Sequence, residues 1–203
     1  MKKLDRAFFL RDTITVAGDL LGRILVHHTE EGLTAGRIVE TEAYCGVSDA
    51  ACHSAKGNRQ GRVAIMYGEG GFAYVYLIYG MYCCMNVVTR PEEHPEAVLI
   101  RALEPLEGVA LMAERRNQKG LTEEQQWRAL CSGPGKLCQA MAIDRSCYGL
   151  DLLGDKLYLL EGQPIAAEEV GTTARINVSY AGEAAAYPWR FIIKDSSYVS
   201  VAK

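Results

Sequence analysis

"GFAYVYLIYGMYCCMNVVT", residues 71–89, sets the reading of the whole chain. Two runs of aromatic, β-branched and other apolar residues flank Gly80, which predicts two antiparallel strands joined by a tight turn. Four of the chain's eleven tyrosines fall within residues 74–86. Tyrosine combines a flat π-face with a polar tip. The hairpin is therefore either a core element whose hydroxyls reach water or a platform on which another ring stacks. Tyr74 and Tyr76 share one face by strand parity. Tyr79 points the other way or sits at the turn beside Gly80 and Met81.

Outward from the hairpin, "ILVHHTEEGLTAGRIVETEAY" (24–44) reads as two β segments around Glu31-Gly32. On the second, a regular strand would put Ile38, Glu40, Glu42 and Tyr44 on one face. "EAVLIRALEP" (96–105) is a further apolar strand, expected to end at Pro105. Before these, "DTITVAGDLLGRIL" has helical spacing with Asp12 or Thr13 as cap. After them the period changes. "LEGVALMAERRN" and "TEEQQWRALC" read as helices, the second opened by a Thr122/Gln125 capping box. "SGPGKLCQAMAI" places Pro134 in the first turn of another. The last quarter returns to strands at "KLYLLEG", "TARINVSY" and "WRFIIKD". Strands on both sides of a helical block predict an α+β fold. The expectation is a single compact domain, residues 1–203, with a curved, mostly antiparallel β-sheet core and surrounding helices.

Composition narrows the class. With 203 residues, 49% hydrophobic and 23% charged, the chain matches an ordinary globular domain. No apolar run is long enough for a membrane span, and "MKKLDRAFFLRDT" is too soon broken by charge for a secretory signal. The expected location is the cytoplasm. The seven cysteines include no CxxC pair and read as reduced, mostly buried thiols. A formal net charge of −3 argues against a general nucleic-acid coat. One local exception is "HSAKGNRQGR" (53–62), a Gly/Ser/Asn-rich loop carrying Lys56, Arg59 and Arg62 with no acid.

Several residues are too costly for simple packing. A buried Glu40 or Glu42 beside Tyr44 would have a raised pKa and could act as a base; periodicity does not choose between them. Asn86 lies in the apolar "CCMNVV" and needs several hydrogen-bond partners. It either satisfies backbone groups or reads a ligand edge. Arg101 interrupts "VLIRAL" and must be paired or face a site. Lys136 follows Gly-Pro-Gly at a predicted helix start, where free amides favour an anion; the spacing is not that of a Walker loop.

Together these segments closely resemble the alkyladenine (3-methyladenine) DNA glycosylase family. The resemblance rests on "GRIVETEAY" (36–44), "HSAKGNR" (53–59), "YVYLIYGMYCCMN" (74–86), "VLIRALEPLEG" (98–108), "CSGPGKLCQA" (131–140) and "WRFIIKDSSYVSV" (189–201), in family order over nearly the full chain. It implies Glu42, not Glu40, as the base and Arg101 as the active-site arginine. It implies that Tyr44 on one side, and Tyr76 with His53 on the other, sandwich a flipped purine, with Asn86 as the purine-discriminating amide. It implies Tyr79 as the residue probing the duplex, with Met81 and Tyr82 beside it at the minor groove. No metal or other cofactor is implied. The implied partner is double-stranded DNA containing damaged purines, met by a monomer. Arg59, Arg62 and Lys136 are the expected phosphate contacts that concentrate positive field on a net-negative chain. Two other classes use some of the same residues. A single-strand binder explains the aromatics but leaves Glu42 idle. A nucleoside hydrolase uses base and ring sandwich but leaves Tyr79 and Lys136 without a task.

Overall fold

The computed structural model describes residues 1–118 and 123–201; the proposed cap Thr122 lies outside them. Strand formation follows the apolar runs. They are β1 (Ile24–Thr29), β2 (Gly32–Tyr44), β3 (Ala73–Ile78), β4 (Tyr82–Thr89), β5 (Glu96–Glu107), β6 (Leu157–Leu160), β7 (Val170–Thr173) and β8 (Arg190–Ile193). All pair antiparallel, in the order β3-β4-β5-β2-β1-β6. β8 joins β2 and carries β7. The α+β class and the curved antiparallel sheet are as expected; the sheet curls into a half-barrel.

Helices α1 (Arg6–Phe9), α2 (Thr13–Asp19), α3 (Val109–Arg115), α4 (Glu123–Leu130) and α5 (Pro134–Ala140) surround it. Asp12 caps α2 by accepting from the Thr15 N–H, which satisfies an amide that no helix turn can reach. Pro134 sits in the first turn of α5, where its missing N–H costs nothing. Helix α2 packs on β2 and β5, and α5 on β4 and β5. Phe9, Val16, Leu20, Ile38, Met85, Ile100, Leu103 and Leu137 fill the core between helices and sheet.

Three expectations need correction. First, Pro105 does not end its strand: β5 runs on to Glu107. Pro105 pairs with Gly36 beside a register shift at Ala35/Gly36, and a bulge is where a residue without an N–H is tolerated in a ladder. Second, "TARINVSY" is a strand only at Thr173; the chain is irregular from 174 and turns into a 3-10 segment, Ser179–Ala186. Its polar groups go elsewhere: Arg175 is buried against Asp49, and the Ile176 N–H donates to Glu42. Third, β2 is not regular. Register shifts at Ile38/Glu40 and Glu40/Thr41 leave Val39 unmatched on β2 and Arg101 unmatched on β5. Each bulge reverses the facing of its strand. Ile38 and Leu103 therefore join the helix-side core together with Ala43, Val98 and Ile100. Glu40, Glu42 and Arg101 lie on the opposite face.

Candidate active site

The paired bulges collect charges where a sheet interior should have none. Glu42 is 0% exposed. Its Oε2 accepts from the Tyr44 hydroxyl at 2.8 Å, and its Oε1 from the Ile176 N–H at 2.7 Å. Arg101 Nη1 stands 3.4 Å from the same carboxylate. Burial raises the Glu42 carboxyl above its ordinary range, and the nearby Glu40 charge adds to this. The Arg101 charge and the bonds from Ile176 and Tyr44 offset only part of it.

Glu40 is equally buried but differently held. Its carboxylate accepts from Arg101 Nε at 2.8 Å, Arg190 Nε at 2.8 Å, the Ser200 N–H at 2.6 Å and Ser200 Oγ at 2.8 Å. Burial acts to raise this carboxyl too. Here the Arg101 charge and the bonds from Ser200, Arg101 and Arg190 prevail, and its pKa is lowered. Two neighbouring glutamates on one strand thus have opposite electrostatic fates, decided by how many donors each receives. Desolvating such ions costs several kcal/mol each, so four charges gathered in one place are poor evidence of stability and good evidence of a task.

In front of this cluster stands an aromatic pocket. Tyr44, His53, Tyr74, Tyr76, Asn86 and Tyr180 are among the residues lining it. The His53 ring meets Tyr76 edge-on at 4.7 Å, and its Nδ1 lies 2.7 Å from the Tyr74 hydroxyl. Burial, helped by the Arg62 charge, lowers the His53 pKa, which favours a neutral ring at physiological pH. Burial also pushes the Tyr74 hydroxyl up to about 12. Asn86 is buried on β4 and donates Nδ2 to the Tyr74 carbonyl at 3.1 Å.

The pocket opens into a cleft of about 700 Å³, whose lining includes Tyr44, Tyr76, Tyr79, Tyr82, Arg101 and Ile176. The same wall carries Arg62, Arg116 and Lys136. Glu42 stands one layer behind this wall, through its bonds to Tyr44 and Ile176. At the hairpin tip Tyr79 is 76% exposed and Met81 68%. The Met81 N–H bonds to the Ile78 carbonyl, and Tyr79 and Gly80 both have positive φ (52° and 72°). This is the primed turn that matches strand twist. Glycine adopts it freely; a tyrosine there is strained. Tyr82 lies over the start of α5, where a Cβ on Gly135 would come within 3.1 Å of its ring. Arg59 is not brought to the cleft: it pairs with Glu93 and lies over the Tyr67 ring at 3.9 Å.

Comparison with known proteins agrees with this geometry. The profile of the family described as methylpurine-DNA glycosylase matches residues 7–197. The chain belongs to the methylpurine-DNA glycosylase family. It is a DNA N-glycosylase of base excision repair, a hydrolase of N-glycosyl bonds. A protein of Desulfitobacterium hafniense is 51% identical over 203 residues, covering 99% of this chain and 100% of its own. One of Clostridium acetobutylicum is 49% identical over 99% of this chain and 98% of its own. One of Methanocella arvoryzae is 48% identical over 98% and 96%. All three carry the name "Putative 3-methyladenine DNA glycosylase".

Within this methylpurine-DNA glycosylase, several site residues escape sequence reading. Arg175 is buried. It donates to both Asp49 oxygens, at 2.5 and 2.8 Å, and stands 4.9 Å from the Tyr44 ring. It thereby fixes the segment that delivers the Ile176 N–H. Its only signal was an arginine inside an apolar run, which the strand reading absorbed. Arg116 and Tyr180 line the cleft with no local motif. All seven cysteines are free, five of them buried. Among the described residues, no group of three His, Cys, Asp or Glu could hold a metal, and no helix is long and apolar enough to cross a membrane.

Proposed function

We propose that the protein extrudes an alkylated or deaminated purine from duplex DNA and hydrolyses its N-glycosidic bond with a water activated by Glu42. The substrates are of the 3-methyladenine, 7-methylguanine, hypoxanthine and ethenoadenine class. The observation that carries this reading is the buried, raised Glu42 carboxyl bonded to Tyr44 and Ile176 beside Arg101, immediately behind an aromatic pocket. A base stacked in a duplex is out of reach, so the nucleotide must leave the helix, at a cost of a few kcal/mol that a poorly pairing lesion lowers. Tyr79, with Met81 and Tyr82 at the minor groove, fills the gap. Arg62 and Lys136 hold phosphates; Arg59, paired with Glu93, joins them only by exchanging that partner.

In the pocket the purine lies between Tyr44 on one side and Tyr76 with His53 on the other. The tyrosine faces attract a positively charged alkylpurine by about 0.5–2 kcal/mol each. Asn86 offers an amide to the purine edge. Water attacks the anomeric carbon, its proton passing to Glu42, while the bond to the purine nitrogen breaks and its electron pair leaves with the base. The Glu42 charge stabilises the cationic sugar, and Arg101 holds the carboxylate ionised. The product is an abasic site. The protein acts as a monomer, in the cytoplasm.

Incision of duplex DNA containing one 7-methylguanine or one hypoxanthine, after alkaline cleavage of the abasic product, tests this directly. Base release from duplex and none from free nucleosides is expected. Cleavage of nucleosides, or binding with no abasic product, overturns it.

A further inference from the structure

Glu40 does not line the pocket, yet it accepts four hydrogen bonds where Glu42 accepts two. Four donors converge on it from three parts of the chain: Arg101 on β5, Arg190 on β8 and both the N–H and Oγ of Ser200. The Ser200 hydroxyl also lies 3.3 Å from Arg101 Nη2, and Arg190 Nη2 donates to the Val201 carbonyl at 2.8 Å. The C-terminal segment is thus strapped onto the same carboxylate. What this achieves is visible at Arg101. Glu40 grips the guanidinium by Nε, and the Nη1 end is then 3.4 Å from Glu42. A guanidinium is planar and rigid, so fixing one edge fixes where the other points.

We infer that Glu40 is a positioning residue: it orients Arg101 toward Glu42, and its negative charge keeps that arginine from neutralising Glu42 alone. The cluster contains two carboxylates and two guanidinium groups. With Glu40 charged, Arg101 is shared between two anions. Without that charge, Arg101 serves Glu42 only, and Glu42 also loses a like-charged neighbour. Both changes favour the ionised form of Glu42. Besides Arg101 and Glu40, the groups acting on Glu42 are the Ile176 N–H, Tyr44, Arg175, Cys84 and Tyr180, and none of them bonds to Glu40.

The inference rests on Glu42 as the base, and the test separates the two. Single-turnover release of 7-methylguanine from duplex DNA is measured against pH; this lesion is already cationic and needs no proton to leave. In Glu40→Gln the acid limb of the profile should move to lower pH by on the order of one unit, with kcat reduced and lesion binding retained. Loss of packing alone would lower the active fraction and leave the limb where it was, and that result overturns the inference. Glu40→Asp keeps the charge, so it answers the question should the Gln variant fail to fold. It withdraws the carboxylate by one methylene and should cut kcat by about ten- to a hundredfold at unchanged KM and unchanged limb. Parental kcat in Glu40→Asp also overturns the inference. Glu42→Gln is the control for the base itself: full activity there removes the base assignment, whatever Glu40 does.

Discussion

Glu42 and Asn86 are buried polar side chains, the first directly behind the pocket and the second lining it, and the role proposed for each is testable by a single substitution. Glu42→Gln is nearly isosteric, so the fold and lesion binding should persist while base release is almost abolished, as single-turnover assays and thermal melts would show. The pH profile has a definite sign. A base works when deprotonated, and burial holds the Glu42 pKa above the ordinary 4.5. Activity on a cationic lesion should therefore fall as pH drops through a value above 4.5, where free carboxylates are still ionised. An acid limb at or below 4.5 would contradict the buried base. Asn86→Ser loses one amide bond to the Tyr74 carbonyl, a cost of about 0.5–1.5 kcal/mol. It should raise excision of guanine-like purines relative to hypoxanthine, because the shorter side chain makes room for the 2-amino group. An unchanged ratio would leave Asn86 with only its backbone role.

The β3–β4 hairpin is the element whose design conflicts with stability. A tyrosine held at φ 52° carries about 1–2 kcal/mol of left-handed strain. Being mostly solvent-exposed, it recovers little of this by packing. Tyr79→Gly removes that strain and adds about 0.5–1 kcal/mol of unfolded-chain entropy. Urea unfolding should therefore show a variant as stable as the parent, or more stable by up to about 1.5 kcal/mol. Excision should nevertheless fall, most in a well-paired duplex and least where the lesion sits in a mismatch or bulge. A buried aromatic would instead cost about 3–5 kcal/mol on truncation, and a loss of that size would place Tyr79 in the core. The neighbouring Gly135 shows the same element from outside: the close approach of Tyr82 to α5 ties the hairpin tip to the helix that carries Lys136.

Across the whole molecule, a chain of net charge −3 keeps one opening locally positive. The cleft is lined by Arg62, Arg101, Arg116 and Lys136 and, among the described residues, by no Asp or Glu. The adjoining groove adds Arg145 to Arg62. Replacing Arg62, Arg116, Lys136 or Arg145 singly by Ala should weaken binding to every DNA sequence alike. Each should flatten the plot of log K against log salt by up to about 0.9. Arg59→Ala should leave the slope closer to that of the parent, since its charge is already paired with Glu93. Unaltered slopes at all four cleft and groove positions would move the DNA face elsewhere.

Features under short-range control are legible in the residues alone. The turn before Gly32, the hairpin around Gly80, the Asp12 cap and Pro134 in the first turn of α5 follow from neighbours a few residues apart. So does the α+β class, since period and turn chemistry are local. The family motifs went further, pairing Glu42, Tyr44, His53, Tyr76, Asn86 and Arg101 each with an expected role. Tertiary structure alone decided the surroundings of Glu40 and Glu42. On a regular strand they are equivalent, and no local signal separates them. They differ because the Ile176 N–H reaches Glu42 from 134 residues away and Ser200 reaches Glu40 from 160. The bulges at Val39 and Arg101 and the irregular path of 174–178 have the same origin. Each is a place where a distant partner offers a backbone or charged group better hydrogen bonds than the local ladder, and burial makes that offer binding because an unpaired polar group in the interior is costly.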